Sequence, residues 1–314
     1  KAWLLAITTA ILGVTILEYS GAIDVNESRI PYRNSVFFWP RYIIGGIMFG
    51  IGMTLASGCG NKILIRIGGG NFKSIFVLFI AGLMAILMTR TDFYGSFFHS
   101  WMNPISPDLA KIGMNDQSIH TVFSSITGID PTSVIITVVM PLIICTFLLK
   151  YILFSDSKIK SDNILSGVVV GLVVTFAWLL TGGDLGQSWI ENNDFLDTPY
   201  PAVGVQSFTF INPMGEALIY TSNLFDNFYL TFGVAALLST IFGSFVYSII
   251  SNNLRFEWFA NKHDFVRHLW GGILIGIGGV LSLGCTIGQG VTGVSTLAIG
   301  SIITLLSIIY GASL

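Results

Sequence analysis

Eight apolar stretches, each near the length of a bilayer crossing, dominate this sequence: Trp3–Leu17, Tyr42–Leu55, Ile75–Met88, Ser133–Leu153, Ile164–Leu180, Phe228–Ile250, Leu269–Leu283 and Val294–Tyr310. A spanning helix needs about 20 mostly apolar residues. A ninth stretch, Val203–Tyr220, is interrupted by Asn212, Pro213 and Gly215, and reads as a broken or re-entrant segment. Of the 314 residues 53% are hydrophobic and only 10% charged, against about 25% charged in soluble chains. The expected fold is an all-α polytopic membrane protein with eight or nine transmembrane helices. A net charge of −2 leaves no basic face for nucleic acid, and three cysteines are too few for a disulfide framework. No cleavable signal with a charged n-region and an A-x-A-like site is visible.

Lys and Arg accumulate in cytoplasmic loops. Lys150, Lys158 and Lys160 flank one short loop, and Arg255, Lys262 and Arg267 flank another. Residues 161 to 254 hold no Lys or Arg but seven acids. The acidic loop with Asp184, Glu191, Asp194 and Asp197 is therefore expected outside. Alternation then puts Lys62, Arg66 and Lys73 inside and the loop Thr91–Pro131 outside. That loop carries Phe93, Tyr94, Phe97, Phe98 and Trp101, an aromatic run suited to headgroup anchoring or to a lid.

Two segments superimpose at an offset of 226: RYIIGGIMFGIGMTLASGC (Arg41 to Cys59) and RHLWGGILIGIGGVLSLGC (Arg267 to Cys285), with 10 identities in 19 positions. The charge map runs the first outside to inside and the second inside to outside. That is an inverted-topology repeat, an architecture whose substrate sites form near the midplane where the copies meet. The chain divides accordingly into an N-terminal half, 1–155, and a C-terminal half, 156–314, within one membrane domain. Segment 166–183 is a weaker match without the cysteine.

Gly46, Gly50, Gly272 and Gly276 give small-xxx-small faces for close helix approach. Gly58-Cys59-Gly60 and Gly284-Cys285 ask for a different explanation. A glycine beside cysteine at the end of a short span is expected to break the helix and free backbone N–H groups. Inside a membrane such groups must face protein, water or a ligand, and a short helix beginning there would offer its N-terminus to an anion. Lys62 and Arg66 follow the first cysteine, while Thr286, Gly288 and Gln289 follow the second. Those two basic residues lie at the cytoplasmic face or line an anion path.

The segments GIGMTLASGCGNKILIRIGGGNFKS (Gly50–Ser74) and GGILIGIGGVLSLGCTIGQGVTGVSTLAIGS (Gly271–Ser301) resemble the YeeE/YedE family of sulfur-compound membrane transporters, whose characterised members import thiosulfate. The resemblance implies an hourglass-shaped protein with facing re-entrant helices at a central constriction. It implies that Cys59 and Cys285 contact the passing anion; by their glycine- and donor-rich setting beside these cysteines, Gly58, Gly60, Gly284, Thr286, Gly288, Gln289 and Lys62 are expected along the same path. It also implies thiosulfate as substrate, a bacterial inner-membrane location, a cytosolic sulfur-carrier or sulfurtransferase partner, and transport in place of enzymatic chemistry. Cys145 lacks glycine flanks and reads as a buried small hydrophobe. Glu216, an acid at membrane depth, is a candidate for proton coupling or an interfacial carboxylate.

Thiosulfate is a dianion with a soft sulfur end, and taking it into a low-dielectric constriction requires fixed donors in place of water. Helix N-termini and neutral thiols supply these weakly enough for the ion to leave. The thiols are expected to be mainly protonated, because a thiolate would repel the dianion. No cofactor is expected. Two cysteines without a nearby histidine offer at most a soft two-ligand Cu(I)-type site, and Gly68-Gly69-Gly70 lacks the ending of a phosphate loop. His99, His120, His263 and His268 read as edge or loop residues. The alternatives are transport of another sulfur or selenium species, a persulfide-transfer or redox protein using Cys59 and Cys285, and a scaffold subunit.

Overall fold

The computed structural model describes residues 1–130, 133–154 and 160–314; Pro131 and Lys158 lie outside the described residues. The described chain is helical, with isolated β-bridges but no strand. Its helices are α1 (Ala2–Tyr19), α2 (Gly46–Leu55), α3 (Gly60–Gly68), α4 (Phe72–Arg90), the single turn α5 (Ser100–Met102), α6 (Ile119–Thr127), α7 (Met140–Phe154), α8 (Ser161–Gly182), α9 (Asp184–Asp194), α10 (Ile211–Ser222), α11 (Phe232–Ile250), α12 (Lys262–Leu281) and α13 (Ile299–Ser313). A π-helical stretch, Arg41–Gly45, leads into α2, and another, Gly288–Gly293, lies between α12 and α13. Among the described residues seven helices are long and apolar enough to cross a membrane, counting 41–68 as one, and α13 is a shorter apolar helix. The protein is a multi-pass membrane protein.

The duplication is visible as a two-fold at the centre. A Cβ built on Gly45 would lie 2.6 Å from the Ser282 nitrogen, and one on Gly271 2.6 Å from the Ala56 nitrogen. Likewise Gly52 meets the Ile275 nitrogen at 2.8 Å and Gly278 the Phe49 nitrogen at 2.6 Å. Each pair exchanges under the offset of 226, so α2 and α12 pack antiparallel through one self-complementary surface. Lipid offers no hydrophobic drive between helices, so such backbone-close contact supplies the attraction. Around this pair the relation extends past the 19 aligned residues. Gly46 and Gly50 pack on α13, while Gly272 and Gly276 pack on α4.

The breaks after α2 and α12 match bond for bond. Ala56, Ser57 and Gly58 donate to Gly52, Thr54 and Met53; Ser282, Leu283 and Gly284 donate to Gly278, Val280 and Gly279. This is the Schellman pattern, with a 6→1 and a 5→2 bond. The left-handed residue in it is not the glycine that sequence suggests. Ser57 (φ 59°) and Leu283 (φ 63°) hold that conformation, with Gly58 and Gly284 one position beyond. A second correction concerns the last span. Leu297 is left-handed (φ 56°), so α13 begins at Ile299 and not at Val294.

The basic clusters assemble at one end. Lys73 pairs with Asp264 at 2.9 Å, and the Arg255 N–H donates to the Gly69 carbonyl at 3.1 Å. This end is the inner one in the orientation read from the loops. At the opposite, outer end Arg33 grips Glu18 through two bonds of 2.6 and 2.9 Å. Here the segment before α6 covers the start of α13: Ile299 donates to the Gln117 carbonyl at 3.0 Å, and Gly300 to its side-chain oxygen at 3.2 Å. At the inner end Phe72, opening α4, donates to Glu257 at 3.0 Å. The aromatic run folds back on the protein, with Arg41 over the Tyr94 ring at 4.8 Å.

Candidate functional site at the cysteine turns

The segment 203–210 and α10 form a hairpin that enters the bundle from the outer end. Val205 accepts from Arg29 N at 2.8 Å, Gln206 exchanges bonds with the Thr181 hydroxyl, and Ser207 donates to Val174 at 2.9 Å. The extended descent ends at Phe210, and α10 returns. Alternation in Ser207-Phe208-Thr209-Phe210 is a period-two signal that a search for apolar length passes over. The Asn212-Pro213 break correctly marks the turn, because Pro at the third helical position costs no intrahelical bond.

Cys59 and Cys285 occupy equivalent positions immediately before the short helices, and their turns meet. A Cβ on Gly60 would lie 3.8 Å from the Cys285 Cβ, 3.2 Å from Ile211 Cδ1 and 3.4 Å from Met214 Cε. Three helix starts therefore converge here: α3 at Gly60, the short helix after Cys285, and α10 at Ile211. The first N–H groups of a helix have no intrahelical partner, so donors gather at this point. The Cys285 sulfur accepts from Gly288 N at 3.4 Å, with the Phe210 and Ile287 amides also directed at it. Ile211 and Met214 fill the gap between the turns as an apolar plug.

Each residue singled out from sequence has a definite place. Gly58 takes the aliphatic stem of Lys62 against it, while the Lys62 side chain is exposed. Gly284 lies under Gln289, whose amide nitrogen donates to Ser282 at 2.7 Å. The Gln289 Oε1 and Thr286 Oγ1 atoms are buried without a partner among the described residues, a cost of about 1–3 kcal/mol each unless something supplies one. Gly288 approaches Thr209 so closely that a Cβ would sit 2.6 Å from its hydroxyl. Arg66 belongs elsewhere, on an inner-end cavity of about 320 Å³ shared with Arg255, Asn71 and Glu257. Cys145 is buried between α7 and α1, 3.7 Å from the Thr8 carbonyl, as its apolar setting suggested. Glu216 accepts from Arg29 at 2.9 Å and from the Thr231 hydroxyl at 2.6 Å.

One residue at the site escaped the sequence reading. Tyr32, in the connection between α1 and α2, donates its hydroxyl to the Gly288 carbonyl at 3.0 Å and packs edge-on to Trp178. Burial, and then the neighbouring Cys285, hold this phenol above its ordinary pKa. No local motif marks a tyrosine that acts across 256 positions.

A membrane-embedded helical bundle in which re-entrant elements gather amide donors and thiols at one closed turn has the build of a transporter. The profile of the sulphur transport family matches residues 1–314, and the chain belongs to that family. It is similar to the thiosulfate transporter TsuA of Escherichia coli, 25% identical over 308 residues, covering 92% of this chain and 75% of the relative. Similarity to the thiosulfate transporter TsuA of Spirochaeta thermophila is 25% over 283 residues, 86% of this chain and 74% of that one. The family is one of transporters, not enzymes.

Proposed function

We propose that this protein imports thiosulfate across the bacterial inner membrane, through the point where the Cys59 and Cys285 turns meet. The observation that carries the reading is the convergence of three helix starts on two thiols, with Gly60 against Cys285. Amide donors and helix N-termini offer partial positive charge to an anion without a fixed cation that would hold it. Protonated thiols add weak S–H donors and a polarizable surface for the sulfur end. Because each contact is weak, the ion leaves as readily as it enters. In the closed form Ile211 and Met214 obstruct the passage, so hairpin 203–222 is the part that must shift. The names carried by the relatives, thiosulfate transporter TsuA, support the substrate.

The test is uptake of radiolabelled thiosulfate by cells lacking their own importers, for the wild type, Cys59→Ala and Cys285→Ala at matched expression. We expect uptake that resists an equal concentration of sulfate and drops at least tenfold in each variant. Uptake unchanged in both variants would reduce the thiols to packing groups. A trapped sulfur adduct on either cysteine, seen by mass spectrometry, would replace passage by covalent relay.

A further inference from the structure

The outer end holds a second anion-attracting feature, built from residues that belong to no motif. A cavity of about 300 Å³ opens between α4 and α10, lined among others by Arg29, Thr89, Arg90, Asn212 and Glu216. Two guanidiniums thus face one carboxylate. Arg29 is fixed by Glu216 at 2.9 Å and Gln206 at 3.3 Å, which leaves three of its five N–H donors without a side-chain partner among the described residues. Arg90, the last residue of α4, has no protein partner among the described residues. In its lining the Asn212 Oδ1 is buried and has no partner among the described residues, and turning that amide over presents its NH₂ to the same space. The next residue inward is Ile211, which touches the cysteine turns.

We infer that this cavity is an outer capture site for divalent sulfur oxyanions, with Arg29 and Arg90 as its cationic donors and Glu216 as the resident counter-anion. The inference rests on the import reading above and divides its labour: the cavity selects charge, and the cysteine turns select sulfur. Planar guanidiniums offer paired N–H groups matched to oxyanion edges. A dianion arriving at Arg29 competes with the Glu216 carboxylate. Since Glu216 also holds Thr231 at the start of α11, displacing it frees the α10 arm of hairpin 203–222 from Arg29 and Thr231, while the bonds of Val205, Gln206 and Ser207 keep the descending arm in place. Charge attraction at an exposed mouth acts on capture and weakens with salt.

The decisive variant is Arg90→Gln, because Arg90 is exposed and its replacement breaks no internal bond; Arg90→Lys and Glu216→Gln complete the set. Thiosulfate uptake is measured against concentration at low and high ionic strength in proteoliposomes holding the full chain. Thermal shifts of the purified proteins with thiosulfate, sulfate and sulfite are measured in parallel. We expect Arg90→Gln to raise KM about fivefold with Vmax within twofold, to flatten the salt dependence of KM, and to lose most of the oxyanion shift. Arg90→Lys should recover most of the KM, and Glu216→Gln should lower it. Wild-type KM and salt dependence in Arg90→Gln, or a fall in Vmax alone, would overturn the capture site while leaving import intact. If the wild type fails to transport thiosulfate, the import reading falls and the thermal shifts decide the site. An Arg90-dependent shift sustains it, and equal shifts in wild type and Arg90→Gln reject it.

Discussion

At Cys59 the chain enters a half-open setting: Cys59 is partly exposed, Lys62 reaches outward, and α3 alternates buried and accessible residues. At Cys285, 226 positions on, every residue from Gly284 to Ala298 is buried. The backbone bonds of the two turns are the same, and the positions of Lys62 and Arg66 in the first copy are held by Gly288 and Thr292 in the second. A shared backbone therefore does not make the two cysteines equivalent. The first presents a thiol at an accessible helix start beside a cation. The second presents a sulfur surrounded by amides and closed in by Tyr32, Thr209 and Phe210.

The largest expected effect tests the symmetry itself. At Gly278 and at Gly52 even a lone Cβ would stand 2.6 and 2.8 Å from a backbone nitrogen, so Gly278→Leu and Gly52→Leu should each abolish a monodisperse folded peak in detergent size-exclusion. A variant that folds normally at one site only would break the two-fold at that level. The next contrast is chemical. A small polar maleimide should label Cys59 at least tenfold faster than Cys285, read by mass spectrometry after timed quenching; equal rates would remove the difference in environment argued above.

A third effect concerns the outer cover of the second copy. His120 is pressed beside Arg33, and burial first and that cation second lower its pKa to about 4, against about 6.5 when unfolded. Between those values the unfolded chain binds the proton and the folded one does not, so stability falls as pH drops. The loss is expected to begin near pH 6.5 and be complete near pH 4, at roughly 1–3 kcal/mol. Thermal unfolding across that range, with His120→Asn losing the slope, checks it. The smallest effect separates the two left-handed residues. Ser57 is exposed, so Ser57→Gly should stabilise by about 0.5–1 kcal/mol by relieving an unfavourable φ. Leu283 packs against the core, so Leu283→Gly should gain less or lose, because strain relief is offset by lost burial.

Much of this molecule is legible in its sequence because apolar length and charge placement are one-dimensional signals. The membrane crossings, the gathering of Lys73 and Arg255 at one end, and the duplicated cysteine turns all belong to that kind. The left-handed positions do not. Glycine is the default for a positive φ, and here the bond pattern of each turn places Ser57 and Leu283 there instead. The start of α13 is hidden in the sequence because residues 294–298 are as apolar as the helix that follows; the Leu297 turn and the Gln117 cover end one helix and begin the next. Tyr32, Arg29 and Arg90 lie in connections or at a helix end, and their importance comes from what the fold brings opposite them. No spacing in the sequence could announce it.

The self-complementary surface shared by α2 and α12 has a consequence for ancestry. A patch that is its own partner under a two-fold needs only one kind of subunit. Two copies of a single short chain, inserted into the bilayer in opposite orientations, could dock through the Gly45–Ser282 and Gly271–Ala56 contacts as they stand. In that arrangement every substitution appears twice and must suit both sides of the membrane at once. Fusing the copies into one polypeptide lifts that constraint. One copy then gains Lys62 and Arg66 near the inner end, and the other replaces them with Gly288 and Thr292 and seals its cysteine from view.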